Sequence, residues 1–185
     1  ARCVLVAAMN PCPCGLLNVP RRTCRCRPQQ VRAYRDRLSG PLLDRIDLHV
    51  EVALLSFAEM VGPPGESSAR VRARVIAARG RQLARASCAE SSSPPAPNGR
   101  LGASALRKVV RLRKDAERLV GLAMDQMALT ARGYDKVLRV ARTVADLDGE
   151  EEVSASHVAE ALHFRPGADL MLSGESPASG RPPSA

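Results

Sequence analysis

The chain has 185 residues, with 28 Lys and Arg against 19 Asp and Glu and a formal net charge of +9, a length for one domain or one and a half small ones. No apolar run approaches the roughly 18–20 residues of a membrane span. The start, ARCVLVAAMNP, lacks the charged head and long apolar stretch of a signal peptide.

Residues 4–9, VLVAAM, are an unbroken apolar run ended by Asn10-Pro11, which predicts a strand buried on both faces of a parallel sheet. The chain thus reads as cut inside a strand, and a fragment is expected. Residues 11–27 are a Cys/Pro/Arg loop. Pro28 suits the first turn of a helix that lines up Val31, Tyr34 and Leu38, and Gly40-Pro41 is expected to stop it. Leu48, Val50 and Val52 alternate with His49 and Glu51, predicting a second strand. GPPG at 62–65 reads as a hinge.

Beyond the hinge the period becomes helical. Residues 66–86 align Val71, Val75, Ala78 and Leu83, and 87–100 read as a Ser/Pro loop. Leu106, Val109 and Val110 begin a helical stretch that Ala116, Leu119, Val120, Ala123 and Met127 continue. Thr130 is an N-cap for a helix to about Asp146 that buries Tyr134, Val137, Leu138, Ala141 and Val144, with Gly149 as its stop. Ser154 caps a last helix through Val158, Ala161 and Leu162, closed by Arg165-Pro166, and a disordered tail follows. The expected division is an α/β part at 1–61, a hinge at 62–65, an all-α domain at 66–166 and a tail at 167–185.

Positive charge concentrates in three places. Residues 1–50 carry nine Arg against three Asp, 66–85 six Arg against one Glu, and 100–120 seven basic against two acidic residues. These segments are candidates for a phosphate- or nucleic-acid-facing surface. The alternative is a compositional Arg bias, since only Lys108, Lys114 and Lys136 are Lys. An aromatic content of 2% argues against single-strand recognition by base stacking.

Four of the six Cys cluster as Cys12-Pro-Cys14 and Cys24-Arg-Cys26. Such clustering favours a metal over disulfides, and reduced thiols place the chain in a cytoplasm. Four thiolates close a tetrahedral zinc site and staple a loop that has no core of its own; a labile disulfide or four free thiols are the alternatives. Cys3 reads as a buried strand residue. His49, His157 and His163 form no site, and the acid run Asp146–Glu152 reads as a solvated helix end.

Two single residues carry further chemistry. Asn10 is the first polar residue after the apolar run, aimed at the crevice where open sheets bind ligands, unless Asn-Pro is only a turn. In GPLLDRID at 40–47, the Leu42-Leu43 anchor holds Arg45 at a sheet mouth. Its planar fork suits phosphate oxygens; the alternative is a local pair with Asp44 or Asp47.

AAMNPCPCG at 7–15, PQQVRAYRDRLSGPLLDRIDLHVEV at 28–52 and LTARGYDKVLRVARTVADLDG at 129–149 resemble the C-terminal part of the Mg-chelatase-like AAA+ ATPases, the ComM/YifB family. The resemblance covers most of 3–166 and is loose in 53–128. It implies the last strands of an α/β AAA+ nucleotide domain followed by a helical lid. Asn10 matches the sensor 1 residue that positions the attacking water, and Arg45 the trans-acting arginine finger. Arg132 matches sensor 2, with Arg139 and Arg142 as fallbacks. It further implies ATP and Mg²⁺ as cofactors, a ring homo-oligomer such as a hexamer, and ATP-driven work on DNA such as branch migration. The chain departs from the family in lacking G-x-x-x-x-G-K-[ST] and an apolar strand ending in paired acids. It therefore holds only the finger and sensor half of an ATP site, and alone neither binds ATP well nor hydrolyses it. Two rivals remain: a chelatase-like motor acting on a protein partner, and a zinc-stapled basic DNA-binding module without ATPase activity.

Overall fold

A computed structural model describes residues 4–20, 22–88 and 96–165. The expected tail at 167–185 and Cys3 lie outside the described residues. The chain divides into two compact units, Ala1–Ile46 with Pro166–Ala185, and Asp47–Arg165.

In the first unit, α1 spans Pro28–Arg35. Pro28 at its start loses no intrahelical hydrogen bond, and the Gln30 side chain accepts from the Arg27 amide at 2.8 Å. Gly40-Pro41 does not end the segment as expected. It opens a second short helix, α2 (Gly40–Leu43), because Ser39 caps it by accepting from the Leu42 amide at 3.3 Å. Of the described residues in 4–46, only Cys12 and Leu43 are buried.

The expected parallel sheet is corrected. No strand forms among the described residues: 4–10 and 48–52 take no regular secondary structure. Val4 is 89% and Val52 91% exposed. Each run has the composition of a buried strand, but a strand needs a neighbouring strand for its hydrogen bonds and a layer for its faces. Among the described residues the β pairing is a parallel bridge between Leu112 and Val153.

The second unit is helical. α3 (Phe57–Val61) was missed by periodicity and is fixed by a capping box, with Ser56 and Glu59 bonded to each other's amides. α4 (Ser68–Cys88) follows. Its expected apolar stripe is only partly used: Ala78 and Gln82 are buried, whereas Val71, Val75 and Leu83 remain 39–45% exposed.

The expected continuous helix from Leu106 is two helices, α5 (Ala103–Val109) and α6 (Lys114–Gln126). Residues 110–113 break away because Val153 bonds to the residues on both sides of Leu112, accepting from the Arg113 amide at 2.9 Å and donating to the Arg111 carbonyl at 2.8 Å.

α7 (Ala131–Asp148) starts and stops where its residues dictate. The Thr130 hydroxyl accepts from the Gly133 amide at 3.1 Å, and Gly149 takes φ +84°. α8 spans Ala155–His163. The core lies between α6, α7 and α8, where Ala116, Val120, Val137, Ala141, Ala145, Val158 and Ala161 pack with Val153. So much Ala lets the helix axes come close, which suits a chain nearly without aromatics.

Candidate metal centre and phosphate-facing residues

Cys12, Cys14, Cys24 and Cys26 converge in the first unit, with all four Sγ atoms within 4.8 Å of one another. Gly15, at φ +74°, closes the first turn by donating its amide to the Cys12 carbonyl at 3.0 Å, which brings the C-x-C pair round on itself. The Sγ separations are 3.4 Å for Cys12–Cys14, 3.7 Å for Cys12–Cys24 and 3.6 Å for Cys14–Cys24. A disulfide needs about 2.05 Å. A tetrahedron with metal–sulfur bonds of about 2.3 Å has edges of about 3.8 Å. The four sulfurs therefore stand at metal-ligand spacing, and the donor set fits a tetrahedral thiolate ion.

Electrostatics divides the cluster. Backbone amides of Leu16 and Arg25 donate to Cys14 and hold its thiol down to about 6. Burial pushes Cys26 up to about 12. A bound cation would favour the thiolate at all four. Arg22, Arg25 and Arg27, all exposed, lie beside Cys24 and Cys26 in sequence.

The other expected site residues fall as follows. Asn10 is exposed, and its amide carbon lies 3.7 Å from where a Cβ on Gly15 would stand, so Asn10 packs beside the cysteine turn. Arg45 is exposed just past α2, and its Nη1 donates to the Pro41 carbonyl at 3.2 Å. Asp47 lies 3.8 Å from the buried Lys136 ammonium.

Arg132 stands exposed in the first turn of α7. Arg139 is half-buried, donating Nη2 to the Leu101 carbonyl at 3.2 Å. Arg142 is removed as a nucleotide contact: it is fully buried, paired with Asp146 at 3.1 Å, and donates to the carbonyls of Glu150 and Glu151.

Asp146 corrects the reading of a solvated acid run. It is fully buried and also receives Arg85 from α4 and the Asn98 amide nitrogen at 2.8 Å. This hub ties α4 and the 98–100 turn to α7. His157 is buried, accepts the Ser154 amide at Nδ1, and faces Asp148 at 3.2 Å through Nε2, which settles it as structural. His163 is exposed. Sequence reasoning passed over Arg165, which is buried against α7; its place directly after an amphipathic helix was the available signal.

No described helix is long and apolar enough to cross a membrane. The family described as "Magnesium chelatase, subunit ChlI C-terminal" matches residues 65–165, and "Magnesium chelatase, subunit ChlI" matches residues 1–76. The chain is 38% identical over 167 residues to competence protein ComM of Haemophilus influenzae, covering 89% of this chain and 31% of that protein. It is 36% identical to the uncharacterized protein YifB of Escherichia coli, with 89% and 31% covered. It is 38% identical to the uncharacterized protein Rv2897c of Mycobacterium tuberculosis, with 89% and 32% covered. The chain spans about a third of the length of these curated relatives. With both halves matched, one by each segment of the family, this chain belongs to the magnesium chelatase ChlI family, on its ComM/YifB-like side.

Proposed function

We propose that this chain supplies the finger and sensor half of an ATP site in a ring-forming AAA+ motor. Arg45 is the finger given to a neighbouring subunit, Asn10 orients the attacking water, and Arg132 contacts the nucleotide from the helical domain, with Arg139 as the fallback. Nucleotide and Mg²⁺ are held by the part of the longer protein that precedes these residues, and the apolar runs 4–9 and 48–52 join its parallel sheet.

The observation that carries the reading is Arg45. It follows a capped helical turn anchored by buried Leu43, is braced by the Pro41 carbonyl, and still presents its side chain to solvent. A guanidinium braced yet exposed is what a charge delivered to another subunit's phosphate requires, and phosphoryl transfer rewards such positioning by about 10³–10⁵ in rate. The placement of Arg132 at a helix N-terminus, where the dipole favours an anion, supports it further.

A structural Zn²⁺ on Cys12, Cys14, Cys24 and Cys26 holds the loop that follows Asn10. The match to a protein named for competence supports DNA as the substrate; a cytoplasmic, hexameric ring and branch migration of recombination intermediates are what the family resemblance implies. The exposed arginines beside the cysteines in sequence favour a second reading, a stapled DNA-binding module. It predicts steeply salt-dependent duplex binding by this chain alone.

The test is Arg45→Ala in the full-length protein. ATP hydrolysis should fall at least about a thousandfold while nucleotide binding stays within a few-fold. Hydrolysis that survives the substitution removes the finger assignment.

A further inference from the structure

The four clustered cysteines differ in how far solvent reaches them. Cys14 is exposed, Cys24 and Cys26 are half-buried, and Cys12 is fully buried. A small oxidant arriving from solvent therefore meets Cys14 first. From Cys14, the Cys12 sulfur lies at 3.4 Å and the Cys24 sulfur at 3.6 Å. Either needs to close by only about 1.5 Å to reach disulfide length. The chain decides between them. A Cys12–Cys14 bond would close over Pro13 alone, whose φ is fixed. A Cys14–Cys24 bond closes over residues 15–23, where the described residues form turns and loop that can adjust.

The same turn carries Asn10. The Gly15 amide donates to the Cys12 carbonyl at 3.0 Å, and the carbon and nitrogen of the Asn10 carboxamide each lie 3.7 Å from where a Cβ on Gly15 would stand. Asn10 thus rests on the backbone that sets the position of Cys14. Only Cys12 and Leu43 are buried among the described residues of 4–46. No core holds this turn once its sulfurs leave their tetrahedron.

We propose that Cys14 and Cys24 are an oxidation site, a thiol pair that a peroxide converts to a disulfide, with release of the metal and displacement of Asn10. The consequence rests on the structural-zinc and Asn10 readings above, while the pair itself stands on exposure and spacing. The Cys14 thiolate attacks one oxygen of hydrogen peroxide, the O–O bond breaks, and the departing hydroxide takes a proton to become water. Cys14 is then a sulfenic acid. The Cys24 thiolate attacks the Cys14 sulfur, the S–S bond forms as the S–O bond breaks, and hydroxide leaves, protonated, as a second water. The two thiolates lose two electrons and the peroxide gains them. Cys12 and Cys26 remain, two donors where a tetrahedral ion takes four. A dithiol reductant reverses the step by disulfide exchange.

The experiment treats the full-length, zinc-loaded protein with stoichiometric hydrogen peroxide. Zinc freed to a chelating dye, disulfides mapped by peptide mass and ATP hydrolysis are followed together. The expected result is a Cys14–Cys24 disulfide, loss of the bound zinc and a fall in hydrolysis of about a hundredfold, restored by dithiothreitol with zinc. The map is read on the unsubstituted chain, so it does not depend on how a cysteine variant folds. Absence of a disulfide, or a bond at another pair, overturns the proposal. A Cys14–Cys24 bond with hydrolysis unchanged overturns the displacement of Asn10. A protein isolated without zinc that still forms this bond upholds the oxidation site and removes the zinc reading. Asn10→Ala should be slow before peroxide and no slower after it; an Asn10→Ala protein as active as the unsubstituted one removes the Asn10 reading, whatever the disulfide map shows.

Discussion

Cys14 and Cys26 belong to one cluster and titrate far apart. Cys14 is held down to about 6 by the amides of Leu16 and Arg25, and Cys26 is pushed up to about 12 by burial. A lowered thiol stabilises the fold above its unfolded value, and that contribution is lost as pH falls through about 6. We expect one zinc per purified chain. After chelation at pH 7, Cys14 should be alkylated well before Cys26, because only Cys14 is then mostly thiolate. Metal analysis finding none, or equal labelling rates, would contradict this. Asp146 is the opposite kind of residue, an acid wholly enclosed by Arg85, Arg142 and Asn98. Burial pulls the Arg142 guanidinium below its usual value, and Asp146 opposes that. Asp146→Ala leaves a buried guanidinium without its partner and should cost about 3–5 kcal/mol in urea unfolding; a cost near zero would mean that the hub holds nothing. The cysteine cluster could be read from spacing alone. The burial of Asp146 could not, because its partners Arg85 and Asn98 lie 61 and 48 residues away.

Among the elements, α7 was the most legible, because Thr130, the apolar spacing from Val137 to Val144 and Gly149 all agree on one helix. Its C-terminal glycine is testable. At φ +84°, an alanine at position 149 is strained and its Cβ would stand 3.1 Å from Arg81 Nη2. Gly149→Ala should therefore destabilise the helical unit by about 1–2 kcal/mol, read as a lowered unfolding midpoint. An unchanged midpoint would mean that the turn relaxes freely. The elements that went wrong did so for physical reasons. Periodicity cannot see α3, five residues held by a capping box, although S-x-x-E at 56–59 was there to be read. It joined α5 to α6 because the break at 110–113 is made by a bridge to Val153, far along the chain. It placed strands at 4–9 and 48–52 from composition, whereas a strand is a property of a pair.

At the scale of the molecule, the two units differ in what holds them. The helical unit has an Ala- and Val-rich core across three helices. The described part of the first unit buries only Cys12 and Leu43, so its loop depends on the cysteine cluster rather than on a core. Fold class was half legible for the same reason: helices carry their hydrogen bonds internally, and a sheet does not. Of the residues proposed to face phosphate, Arg45 follows one capped helical turn and Arg132 lies in the first turn of another, so motif and local geometry agree without fixing a reaction. The decisive measurement is intersubunit complementation in the full-length protein. Protomers carrying Arg45→Ala are mixed with protomers in which the phosphate-loop lysine is replaced. Each alone should be silent. If Arg45 acts on a neighbour's nucleotide, a random equimolar ring regains about a quarter of its sites, and hydrolysis returns in proportion. Mixed rings that assemble and stay silent would contradict the account.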